Sequence, residues 1–195
     1  MGKFFIGVIS LIFVFVFTQA HADDVSYLAI EKTPLKLKNI DQYGKASFSG
    51  SILIDGDYQV GLGGYDDEPL KPKVLFYPNP TSMNFLPTPH SSSPGYDTPP
   101  DVILFTNGDK AAKLLLSSSE YKELMKQKKQ FDNYTLEEKH ANHLNLKTFR
   151  GAAQLKIDRY TTAIECDSRW YSARLISLHK KRHQSLAEFQ GNLPC

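Results

Sequence analysis

FRGAAQLKIDRYTTAIECDSRWYSARLISL, residues 149–178, is the longest run that reads as folded β-structure, and the rest of the chain is expected to pack around it. Ala153, Leu155 and Ile157 alternate with Gln154, Lys156 and Asp158, the period of a strand with one buried face. The apolar phase then slips by one residue, to Tyr160, Thr162, Ile164 and Cys166. Such a slip sends side chains to the opposite face, so Asp158–Arg159 is expected to be a bulge or bend. Trp170, Tyr171, Ala173, Leu175 and Ile176 follow the polar Asp167-Ser168-Arg169. The stretch therefore reads as a long bent strand, a turn and an antiparallel return strand.

Upstream, Ala46–Val60 is the clearest periodic segment, with Ala46, Phe48, Ile52, Ile54, Tyr58 and Val60 on even positions and Leu53 as the exception. Asp55-Gly56 resembles a tight hairpin tip. A two-residue hairpin would place Ile52 and Ile54 on one face with Asp57 and Gln59, whereas a continuous strand keeps the apolar residues together. Parity favours the continuous strand, with Gly56 as a bend or bulge. Val25–Ile30 is a first strand or a docked arm. Leu35, Leu37 and Ile40 between Lys36 and Lys38 suggest an edge strand guarded by charge. Gly61–Pro72 reads as a loop, and its Asp66-Asp67-Glu68 lacks the spacing of a calcium loop.

Val74–Tyr77 and Val102–Thr106 read as short buried strands. Between them, residues 78–101 hold seven of the 11 prolines, which excludes a helix or a central strand. Met83, Phe85 and Leu86 are expected to anchor this segment, and with His90 and Tyr96 they form the candidate binding residues. Asn107 or Asp109 can cap a helix through Leu116, and Ser117-Ser-Ser-Glu120 offers a capping box for a second. Thr135-x-x-Glu138 starts a third reaching His143, so a helical insertion is expected over about 108–143. The tail from His179 is polar, with Leu186 and Phe189 as its anchors.

Lys3, the apolar run Phe4–Phe17 and Ala20-His21-Ala22 match a secretory signal peptide cleaved after Ala22. At about 1.5 Å per residue that run is too short for a roughly 30 Å hydrocarbon core, so no membrane span is expected after cleavage. The expected product is a single β-rich domain over 23–195, periplasmic or secreted. Cys166 and Cys195 are the only cysteines, and in an exported chain they are expected to form a disulfide worth roughly 3–4 kcal/mol. With 23 basic against 21 acidic side chains, no global charge draws the chain to nucleic acid or anionic membrane.

Chemical constellations are sparse. His140 and His143 share a helix face but lack the Glu of H-E-x-x-H and a third ligand. His179-Lys-Lys-Arg-His183 reads as a solvated basic patch without interleaved aromatics. No serine elbow or phosphate-binding glycine loop is present, and no catalytic residue, metal or cofactor is expected. The strand pattern suits a small, mostly antiparallel OB-like barrel with an inserted helical segment, a β-sandwich being the alternative. The expected function is an exported, non-enzymatic binding module, an inhibitor or an adaptor for a protein partner in the cell envelope. An envelope hydrolase or carbohydrate-active enzyme is one alternative. An oligosaccharide or oligonucleotide binder is another, and it requires exposed aromatics on the barrel face.

Overall fold

The computed structural model describes residues 26–64, 69–90, 100–135, 137–139, 146–165 and 168–187. In chain order the elements are β1 (Ser26–Leu28), β2 (Lys36–Ile40), β3 (Ala46–Ser49), β4 (Ser51–Gly63), β5 (Lys71–Pro78), α1 (Pro80–Met83), β6 (Thr88–His90), β7 (Ile103–Phe105), α2 (Gly108–Leu115), α3 (Ser118–Asp132), β8 (Thr148–Glu165) and β9 (Ser168–Ala187). The expected signal peptide, the Cys166–Cys195 disulfide, Asp66–Glu68, Tyr96, His140 and His143 lie outside the described residues.

β8 pairs with β4, β4 with β5, β5 with β7, β7 with β9, and β9 back with β8, closing a five-strand barrel. Among these pairs β7–β9 alone is parallel. Numbering the barrel strands one to five along the chain gives the cycle 1-2-3-5-4, with α2 and α3 inserted between the third and fourth. This is the Greek-key arrangement of an OB-like barrel, as expected, and closure of one sheet on itself rules out the sandwich.

β4 shows why the sheet curls. Ile54, Tyr58, Val60 and Leu62 are buried inside the barrel while Leu53 is 48% exposed, so the strand is continuous through Gly56. The chain break comes instead at Gly50, whose φ of +97° suits glycine and whose absent Cβ would meet the Pro34 carbonyl at 2.8 Å. Gly56 has another duty: a Cβ there would lie 2.2 Å from the Tyr77 carbonyl, so only glycine lets β5 fold this closely over β4. Gly61–Gly63 and Lys71–Pro72 also belong to the ladder rather than to a loop, because Leu62 and Val74 face the core.

The expected bulge in β8 is present. Its register against β9 shifts between Asp158 and Thr161, and Arg159 adopts a positive φ of 48°. Before the bulge Leu155 and Ile157 point inward; after it Tyr160 and Thr162 do. Arg174 forks onto the Asp158 carboxylate from β9, donating from Nε at 2.8 Å and from Nη2, which holds that carboxyl below its usual range. Tyr160, turned inward, becomes a meeting point. Its ring lies 5.8 Å from Phe48 and 6.3 Å from Tyr171, and its hydroxyl donates to the Pro87 carbonyl at 3.1 Å.

Three further expectations change. The return strand does not end at Leu178: β9 continues through the polar His179 segment to Ala187, because Thr148–Gln154 of β8 needs a ladder partner on that side. Lys181 there donates to the Leu115 carbonyl at 2.8 Å, a cation at a helix C-terminus. Residues 78–101 do contain a helical turn and a strand. Asn79 caps α1 by accepting from the Ser82 N–H, with Pro80 in the first turn where a missing N–H costs nothing, and Pro89 is tolerated in the two-stranded β1–β6 ribbon. Asn107 occupies the N-cap of α2 but spends its side chain on β9, donating to the Leu175 carbonyl and accepting from its N–H.

The Ser117–Glu120 capping box forms as expected and opens α3, which buries Leu124 and Phe131. Thr135 and Glu138 make the same reciprocal bonds, and 137–139 are helical. α2 packs against β5 and β9, closing the barrel end where Gly108 meets Pro72. β2 is an edge strand as expected, though Leu37 and Ile40 stay about two-fifths exposed and only Leu35 reaches the core. No described helix is long and apolar enough to cross a membrane.

Candidate ligand groove

The inner residues of β4 make the barrel core, so its alternate residues Asp55, Asp57 and Gln59 face outward. The ladders set their neighbours. Asp57 lies between Tyr77 on β5 and Ala152 on β8, and Gln59 between Leu75 and Arg150. Together these strands floor a groove of about 670 Å³ lined by Asp57, Gln59, Tyr77, Arg150, Gly151 and Ala152. A smaller recess of about 110 Å³ adjoins it at Asp57 and Ala152, bounded by Gly56, Asn79 and Ala153.

The polar groups are positioned by one another. The Tyr77 hydroxyl donates to Gln59 Oε1 at 3.3 Å, and Gln59 Nε2 donates to Thr148 Oγ1 at 3.3 Å. Gln59 is almost wholly buried, so its amide works as a brace behind the ring. Gln154 Nε2 donates to Asp55 Oδ2 at 2.9 Å. Burial pushes the Tyr77 hydroxyl above its ordinary value; Arg150 opposes that shift and Asp101 adds to it. Asp57 and Arg150 are exposed, and Tyr77 is 38% exposed. The rim near Asn79 is stapled down: the Asn79 N–H donates to the Asp55 carbonyl, and the Asp55 N–H donates to Ser82 Oγ at 2.8 Å.

Of the candidate binding residues, Leu86 is fully buried and serves the core, Met83 is half-buried, and Phe85 is 41% exposed just beyond α1. His90 sits in β6 opposite Ser26. The proline-rich segment thus meets the groove through Asn79, ahead of the residues singled out from sequence. Asp57, Tyr77 and Arg150 were not among them. Parity along Ala46–Val60 places Asp57 outward, but only the ladder register brings Tyr77 and Arg150 beside it.

A larger basin of about 760 Å³ lies where β5 meets α2, with Lys71, Lys73, Asp109 and Lys110 among its lining residues. It offers no exposed aromatic face. A second exposed aromatic on the barrel exterior is Trp170, 45% exposed, on the same side of β9 as Ser172, which pairs with Leu104 of β7. Among the described residues, no three His, Cys, Asp or Glu side chains gather to hold a metal ion.

Fold and groove define an OB-like barrel with a polar, aromatic-edged channel on its outer wall. Comparison with protein-family models, curated proteins and solved structures found no match.

Proposed function

We propose that the chain is an exported, non-enzymatic binding module, acting as an inhibitor or adaptor, that takes its ligand in the groove across β8, β4 and β5. The observation carrying this reading is the set Asp57, Tyr77 and Arg150, presented together from three hydrogen-bonded strands. Side chains on a closed barrel are held in place before the ligand arrives, so little ordering entropy opposes binding. The proline-rich segment supplies the rim through Asn79. Export is supported by the pattern of Lys3, Phe4–Phe17 and Ala20-His21-Ala22.

Capture from an envelope extract of the native host tests the site. The unmodified protein should retain a component that Asp57→Lys and Tyr77→Ala lose while both variants stay folded, Tyr77→Ala with a lowered thermal midpoint because the buried Gln59 amide loses a partner. Equal retention by all three proteins would overturn the site. Intact mass tests the address: the purified chain should begin at Asp23, and retention of Met1–Ala22 would overturn export.

A further inference from the structure

Resting on the groove as the ligand site, we propose that its ligand is a neutral oligosaccharide, lying flat on β4 and β8 between Tyr77 and Arg150. Charge is the first argument. The groove is lined by one carboxylate, Asp57, and one guanidinium, Arg150, so its wall carries no excess of positive charge. A nucleic-acid strand or an anionic lipid headgroup would bring phosphates against Asp57 with a single guanidinium to offset them, and phosphate neutralisation by cations is what such ligands require.

Backbone geometry disfavours the next candidate, an extended peptide. Peptides that add to a sheet need an open edge. From Gly56 to Val60, β4 is hydrogen-bonded to β5 on one side and β8 on the other, so no edge is open under the groove. The ligand must therefore be recognised by side chains and by the flat face of the sheet.

The side chains present suit a polyol. Asp57 only accepts hydrogen bonds, Arg150 only donates them, and the Tyr77 hydroxyl does both. Every sugar hydroxyl also does both, so it can satisfy either kind of partner. Tyr77 adds an aromatic face whose negative π-cloud attracts the C–H face of a sugar ring. Beside it, Ala152 faces outward opposite Asp57 and carries only a methyl group, so a ring can approach the sheet closely there. From Gly56 to Gln59 the groove and its adjoining recess run roughly 10 Å at about 3.3 Å per residue, which suits a short oligosaccharide better than a single ring. The groove's 670 Å³ falls within the range of small-ligand sites.

Backbone-amide NMR of the signal-free chain, titrated separately with cellotetraose, maltotetraose and chitotetraose, tests this. At least one sugar should shift the amides of 56–59, 77, 79 and 150–153. Tyr77→Ala should weaken that binding by about tenfold or more, the loss of an aromatic anchor. Tyr77→Phe should stay within about threefold, because it keeps the ring and loses one hydrogen bond. If no sugar shifts these amides while groove variants still lose the captured envelope component, the ligand class is wrong and the groove stands. If neither responds, both fall. Salt-sensitive binding of oligothymidylate at the same amides would overturn the oligosaccharide. Release of new reducing ends would keep the ligand class and overturn the non-enzymatic reading.

Discussion

The two faces of β4 do different work. Inward, Ile54, Tyr58, Val60 and Leu62 are almost completely buried and join one continuous core. Outward, Leu53, Asp55 and Asp57 retain access to solvent, and Gln59 braces the groove. A two-residue period in one strand thus separates folding from recognition, because a change on one face leaves the other's neighbours in place. This separation is open to direct attack, and the expected effects differ widely in size.

The largest effect acts through the inner face and its partners. Burial raises the hydroxyl pKa of Tyr58 and Tyr160, and pushes Tyr171 up to about 12. An unfolded tyrosine loses its proton near pH 10, so the stabilisation is complete below that pH. It is lost as pH rises through the folded values, where the unfolded chain binds fewer protons than the native one. Alkaline titration should show cooperative unfolding coinciding with delayed ionisation of these tyrosines. Their independent ionisation near pH 10 with the fold intact would contradict the inward placement.

Next comes Ile54→Ala, which leaves a cavity in the barrel and should cost about 2–5 kcal/mol in urea unfolding. The remaining folded protein should still capture ligand. Gly56→Ala should cost about 1–3 kcal/mol, because its methyl group would collide with the Tyr77 carbonyl and push β5 away. Unlike Ile54→Ala it should also weaken capture, since Tyr77 moves with β5. Smallest is Leu53→Ser on the outer face: with the side chain 48% exposed, stability should change by no more than about 0.5 kcal/mol and capture should not change.

Local signals carried much of the barrel. The phase slip at Asp158–Arg159 marked the bulge because the inner face changes parity there, and Ser117-x-x-Glu120 marked a helix start because both bonds close within one turn. What escaped was decided by contacts distant in sequence. Gly50 and Gly56 look alike in a strand pattern, and only Pro34 beside one and Tyr77 beside the other assign the break to Gly50. The extension of β9 through Lys180 and Lys181 carries no apolar alternation; the unpaired side of Thr148–Gln154 demands it. The groove follows the same division. Asp57 is outward by parity, yet Arg150 stands 93 positions along the chain and arrives only through the β4–β8 register.

The most direct measurement places a photoreactive benzophenone side chain at position 57 or at position 53, in the native host. Both positions face outward on β4, roughly 13 Å apart at about 3.3 Å per residue, but only Asp57 lines the groove. A specific adduct is expected from position 57 and none from position 53. No adduct from position 57, or the same adduct from both, would contradict a ligand site in the groove.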